Sequence, residues 1–321
     1  MQALALEEAF AQDLLEGLQK PLKSIPSKYF YDARGDALFQ QIMQLPEYYL
    51  TRAEYEILSQ QAADILAPWL HSERPLALVE LGAGDGFKTK LLLDCLQQHN
   101  TEVHYFPMDI SGNVLAQLER DLAERYPNLV VHPIEGDYFE ALQSYAFPAD
   151  MPKLLLFLGA NIGNYSVAEA KRFYKMLSEA LVQGDAVLSG FDLQKHPATI
   201  LAAYNDAQGI TRAFNLNLLE RINRTFEGDF PLHLFRHYPI YDPETGLAKS
   251  FLVCEQACRV QLKKLNFGFS LAAGEVIFTE ISRKYRLDEI AQLAEQQGFE
   301  VLQNYFDCKH YFVNSLWQKR D

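Results

Sequence analysis

Glu80, Asp109 and Asp137 each stand at the end of a short apolar run or just past one, and glycines at 82, 84 and 86 follow the first of them. A glycine-rich turn lets backbone approach a ligand closely, because no Cβ intrudes and positive φ is allowed. Asp109 lies 25 positions after Gly84, where a carboxylate at a strand end can accept hydrogen bonds from both hydroxyls of a ribose. In Gly136-Asp137-Tyr138, Asp137 can accept from an adenine amino group while Tyr138 covers the ring. The bland alternative is that each acid only caps the helix that follows it. Acids at the ends of three successive strands favour the nucleoside, since open α/β sheets bind ligands at that edge. The spacing is GxGxG preceded by an acid, which differs from the GxGxxG of dinucleotide binders.

The elements that must position these residues are legible in the periodicity. LALVEL (76–81), VHYFPMD (103–109), LVVHPI (129–134), KLLLFLG (153–159) and AVLSGFD (186–192) read as strands. Amphipathic helices are expected between them, near 86–98, 111–125, 138–145 and 166–183. Strands alternating with helices imply a parallel sheet covered on both faces. Helical spacing also marks 2–20 and 53–67. After Asp192 the alternation stops: 197–224 reads as two helices, and 230–282 as antiparallel strands with a turn at DPETG (242–246). A helix at 286–297, then Gly298 and two strand-like segments, predicts an antiparallel hairpin on one sheet edge.

The fold class expected is therefore α/β: a Rossmann-like doubly wound sheet with a discontinuous second α+β domain. Residues 53–194 plus 285–321 would bind the nucleoside, and 1–52 plus 195–284 the second substrate. The late glycine and closing hairpin fit an S-adenosylmethionine-dependent methyltransferase better than a nicotinamide-dependent oxidoreductase. A sensor that keeps the cofactor fold without turnover is the third class.

The 29 Lys+Arg against 42 Asp+Glu leave a formal charge of -13, which repels phosphate backbones and anionic lipid. A small zwitterionic or cationic substrate is expected, with neither nucleic acid nor membrane as partner. The N-terminus has acids where a secretory signal needs a basic stretch, and no apolar run approaches the ~20 residues that span a bilayer. A cytoplasmic protein is expected. Cys95, Cys254, Cys258 and Cys308 form no CxxC pair, and HLFRH (His233, His237) lacks the glutamate of a zinc-protease helix. No metal site is expected.

Longer segments carry a resemblance. KYFYDARGDALFQQIMQLPEYYLTRAE (28–54), FLGANIGNY (157–165), AAYNDAQGITRAFNLNLL (202–219) and AAGEVIFTEISRKY (272–285) resemble the histidine Nα-methyltransferase family that begins ergothioneine biosynthesis. The resemblance runs over nearly the whole chain and implies trimethylation of the α-amino group of L-histidine to hercynine. It implies cofactor contacts at Gly82, Lys88, Asp109, Asp137 and Tyr138. Amino-acid contacts would be Tyr48, Asn164, Tyr204, Glu280 and Ser282, with Tyr31 and Thr211 near the pocket. Asn164 and Tyr204 would hold the carboxylate, while Tyr48, Glu280 and Ser282 would hold the imidazole. Tyr31 and Asn164 would position the amine, and no catalytic base is implied.

The residue types suit those roles: amide and phenol donors bind a carboxylate without a cation, and a carboxylate accepts an imidazole N–H. Without the resemblance, Tyr48 and Tyr204 read as packing aromatics, and Glu280 and Ser282 as a solvated strand face. Serine at 250 departs from a family that carries methionine near that position. It would enlarge and polarise the site, which keeps tryptophan, tyrosine or a derivative open as the acceptor.

Overall fold

Phe10, Leu14 and Leu18, spaced as one face of a helix, are buried in α1 (Gln2–Gln19). β1 (Lys23–Ser24) and α2 (Ala33–Gln44) follow, α2 opening where the Asp32 carboxylate accepts from the Gly35 N–H. These elements share one compact unit, residues 1–49 with 195–282; residues 50–194 and 283–321 make the other. The computed structural model describes residues 2–136, 142, 145, 147–148 and 150–320. Asp137 and Tyr138, with most of the helix expected near 138–145, lie outside the described residues.

The second unit opens within the first turn of α3 (Tyr49–Leu66), followed by β2 (Leu76–Leu81). It continues through α4 (Thr89–Gln98), β3 (Val103–Asp109), α5 (Gly112–Arg125), β4 (Val130–Val131) and β5 (Ile134–Glu135). β6 (Lys153–Phe157), α6 (Val167–Ala180) and β7 (Ala186–Asp192) complete the stretch. β2 pairs in parallel with β3 and β6, and β6 with β7. Every residue of β2, β6 and β7 is buried, as parallel strands between two helical layers must be.

Two strand expectations need correction. The single strand expected at 129–134 is two short pieces on β3, broken at His132-Pro133, because proline has no N–H for the ladder. The strand expected to reach Gly159 stops at Phe157, where Gly159 (φ 82°) and Ala160 (φ 57°) turn the chain.

The chain then returns to the first unit with α7 (Pro197–Tyr204) and α8 (Ile210–Phe226). β8 (Phe235–Asp242) and β9 (Leu247–Cys254) form the hairpin expected around 242–246. β10 (Cys258–Leu262) and β11 (Phe267–Leu271) make a second hairpin, and β12 (Val276–Arg283) ends the stretch. The Cys254 and Cys258 thiols are free and 3.5 Å apart. The sheet order is β1-β12-β9-β8. Its β1–β12 pairing is parallel, Lys23 against Ile277, where only antiparallel strands were expected. The core of this unit gathers Phe10, Phe30, Phe214, Phe226 and Leu252.

α9 (Leu287–Gln296) and Gly298 (φ 80°) lead into β13 (Phe299–Phe306) and β14 (Phe312–Lys319). They form the expected antiparallel hairpin, with β14 laid against β7. Among the described residues the sheet runs β13-β14-β7-β6-β2-β3-β4, with β5 also on β3. At the start of this last stretch Lys284 pairs with Asp192 at 2.7 Å, both fully buried. No helix among the described residues is long and apolar enough to cross a membrane.

Candidate active site

Beyond the carboxyl end of β2, Gly82, Gly84 and Gly86 carry φ of 75°, 54° and 64°, the left-handed region that favours glycine. The Gly82 and Ala83 N–H groups both donate to Met108 O, at 2.8 and 3.0 Å, which fastens the turn to β3. Asp109, the last residue of β3, accepts from Gly84 N–H at 3.1 Å through one oxygen and from Ser111 N–H at 3.0 Å through the other. Each carboxylate oxygen has a second lone pair, so the pair keeps capacity for two neighbouring hydroxyls. Among the described residues, a Cβ built on Gly84 or Gly136 meets nothing within 4 Å.

Glu80 behaves differently from the sequence expectation. It is buried, accepting from Thr89 Oγ1 at 2.5 Å and from the Tyr105 hydroxyl. It braces β2 against β3 and the start of α4, whereas Asp109 meets the glycine turn. Burial pushes the Glu80 carboxyl up to about 7, against the pull of the two donated hydrogen bonds. The folded protein therefore keeps a proton that the unfolded chain loses near 4.5. Between those two values stability falls as pH rises, and above the higher one the slope vanishes. Glu80→Gln should remove this contribution, on the order of 2 kcal/mol between about pH 5 and pH 8. Urea unfolding of both proteins at the two pH values measures it. An unchanged pH dependence in the variant would assign the proton to another group.

Lys88, at the amino end of α4, pairs with the carboxylate of Glu54. Glu54 also accepts from Gly159 N–H at 2.8 Å and from Asn314 Nδ2 at 3.0 Å. The sequence reading missed Glu54. The signal was there: a carboxylate in helical register with Leu50, Ile57 and Leu58, all buried. Asn164 ends a short helical turn, Asn161–Asn164, on the loop after β6, and is half-buried.

In the first unit, Tyr204 closes α7 and donates to Ser282 Oγ at 2.8 Å. Glu280, half-buried, precedes Ser282 by two positions on β12. Between β9 and α8, Thr279 donates to Asn215 Oδ1 (3.0 Å) and Ser250 O (3.1 Å). That turns Thr279 toward α8 and sends Glu280 to the opposite face. Thr211 is buried in the first turn of α8, its N–H held by Asp206. Tyr31 and Tyr48 both rest edge-on against Phe39, at 5.6 and 6.2 Å. The structure thus joins Tyr204 to Ser282, and Tyr31 to Tyr48 through Phe39.

The model of the S-adenosylmethionine-dependent, histidine-specific methyltransferases matches residues 10–319. The chain belongs to that family. It is 37% identical to the histidine N-alpha-methyltransferase of Mycolicibacterium smegmatis, over 90% of this chain and 88% of that one. With the Mycobacterium tuberculosis protein of the same name it shares 36%, over 89% and 88%. Ergothioneine biosynthesis protein 1 of Schizosaccharomyces pombe is 30% identical over 94% of this chain, which spans 39% of that longer protein.

S-Adenosylmethionine is the cofactor of this family, and the described residues fit it: bare glycines at 84 and 136 and a strand-end carboxylate at 109. Ser250, expected to enlarge and polarise the site, does not present its hydroxyl to an opening. The residue is 1% exposed, and its Oγ lies 3.3 Å from Nε2 of buried His237. Burial lowers the His237 ring to about 4, so it stays neutral and can share one proton with the serine.

Proposed function

We propose that this methyltransferase transfers methyl groups from S-adenosylmethionine to the α-amino nitrogen of L-histidine. Three successive transfers give hercynine, the first step of ergothioneine biosynthesis. The observation that carries this reading is the likeness, over about nine-tenths of the chain, to two proteins named histidine N-alpha-methyltransferase. In this reading residues 53–194 plus 285–321 bind the cofactor, and 1–52 plus 195–284 recognise the amino acid.

The cofactor supplies an activated methyl group on a sulfonium, open to in-line attack by a nitrogen lone pair. The protein's task is to hold that geometry. Asp109 accepts from the ribose hydroxyls, Gly82 lets the turn close over the nucleoside, and Lys88 supplies a cation. Asn164 offers two amide donors to the amino-acid carboxylate; Tyr204, expected to share that role, has its one hydroxyl proton on Ser282 Oγ, and Tyr31 helps to orient the amine. On β12, Glu280 accepts an imidazole N–H, and Ser282, oriented by Tyr204, serves the other ring nitrogen. Thr211 and Tyr48 shape the walls around the ring.

None of these residues is a general base, so the amine loses its proton to solvent before it attacks. The rate at saturating cofactor and histidine should rise through the amine's own pKa and then level off. A bell-shaped profile with two enzyme pKa values would remove this mechanism. Mass analysis of the product tests the reaction itself: accumulation of a trimethylated α-amine is expected, and methylation of the ring or carboxylate would refute it.

A further inference from the structure

We propose that Glu54 is a positioning residue of the cofactor site, setting the Lys88 ammonium for the α-carboxylate at the amino-acid end of the cofactor. This rests on the assignment of Lys88 to that site. Glu54 itself touches no ligand: its side chain is 0% exposed, whereas that of Lys88 is 21% exposed. The carboxylate accepts from Lys88, from Gly159 N–H and from Asn314 Nδ2. One buried anion thereby ties the residue at the amino end of α4 to the loop beyond β6 and to β14.

Two further features serve the same contact. A Cβ on Gly190 would come within 2.3 Å of a Glu54 oxygen, so β7 is bare where the carboxylate enters. The next residue of α3 repeats the grip: Tyr55 stacks on Phe87 with ring centroids 5.0 Å apart and planes 15° from parallel. Adjacent residues 54 and 55 thus hold adjacent residues 88 and 87. Lysine is a point charge on a flexible stem, and without a fixed partner it would sample many positions. Held at the amino end of α4, where the helix dipole is positive, it is matched to a carboxylate.

The test compares two nucleosides. S-Adenosylhomocysteine carries the α-carboxylate, and 5′-methylthioadenosine lacks the whole amino-acid end. Calorimetric titration of wild type, Glu54→Gln, Lys88→Met and the double variant is expected to show each single change weakening S-adenosylhomocysteine about tenfold. Methylthioadenosine affinity should not change, and the double variant should be no weaker than Lys88→Met, because one residue acts through the other. Equal loss of both nucleosides in Glu54→Gln, or full additivity, would make Glu54 merely structural and overturn the proposal. If Lys88→Met weakens S-adenosylhomocysteine and Glu54→Gln does not, the proposal fails and the Lys88 assignment stands. If Lys88→Met has no effect, both fail. Should Glu54→Gln not fold, Glu54→Asp keeps the charge at shorter reach. It should lose S-adenosylhomocysteine affinity alone, and loss of both nucleosides would again overturn the proposal.

Discussion

L-Histidine should exceed phenylalanine and leucine by on the order of 10⁴ in kcat/KM, and Glu280→Ala should erase most of that advantage. A site built to accept an N–H rejects analogues that lack one, because its own polar groups are then left unpaired. Glu280 is half-buried on β12, while Ser282, two positions on, is buried and held by Tyr204. Two positions apart on a strand is one face, which can present an acceptor and a donor-acceptor to the two nitrogens of one small ring. Asn164→Ala should instead weaken all amino acids alike, since it loses donors to the shared carboxylate. The measurement is a matrix of the three proteins against histidine, tryptophan, tyrosine, phenylalanine and leucine. Preference of wild type for tryptophan or tyrosine would remove histidine as the substrate and leave the methyltransferase family membership intact. The buried Ser250–His237 pair bears on that outcome, because the serine hydroxyl is occupied inside the fold.

Asp109→Ala should weaken S-adenosylhomocysteine by about 30- to 1,000-fold, the equivalent of roughly 2–4 kcal/mol for a two-pronged, charge-assisted contact. The same carboxylate accepts from Gly84 and Ser111 N–H groups, so the loss has two sources. One is the pair of ribose contacts, and the other is the set of the glycine turn. Asp109→Asn separates them: its amide oxygen can still accept from one backbone N–H, while the charge and the second acceptor are gone. Calorimetry reads the affinity, and thermal unfolding reports whether the turn has loosened. An unchanged dissociation constant in a folded Asp109→Ala protein would exclude this residue from the cofactor site.

Local pattern carried much of the fold. The bounds of β2, β3 and β7 follow from short apolar runs, because parallel strands buried on both faces are continuous in hydrophobicity. Gly82, Gly84, Gly246 and Gly298 mark turns, and all four take positive φ. The closing β13–β14 hairpin was legible for the same reason: a helix stop at glycine, then two strands with no helix between them. These are properties of period and turn chemistry, and both are written within a few residues of chain.

What the sequence left open depended on partners far along the chain. Pairing of β1 with β12 joins Lys23 to Ile277, and a strand of two residues has no period to read. Glu80, next to last in β2, and Asp109, last in β3, both lie at the carboxyl ends of apolar strands, yet one points into the core toward Tyr105 and Thr89 while the other meets the glycine turn. Strand alternation leaves each acid either face, and only packing selects one. Glu54 shows the limit most clearly. Its partners Lys88, Gly159 and Asn314 are 34, 105 and 260 positions away. An isolated buried carboxylate is costly, so a charge on the apolar face of α3 announces that partners exist. Which partners they are was settled only when the sheet brought three distant segments to one point.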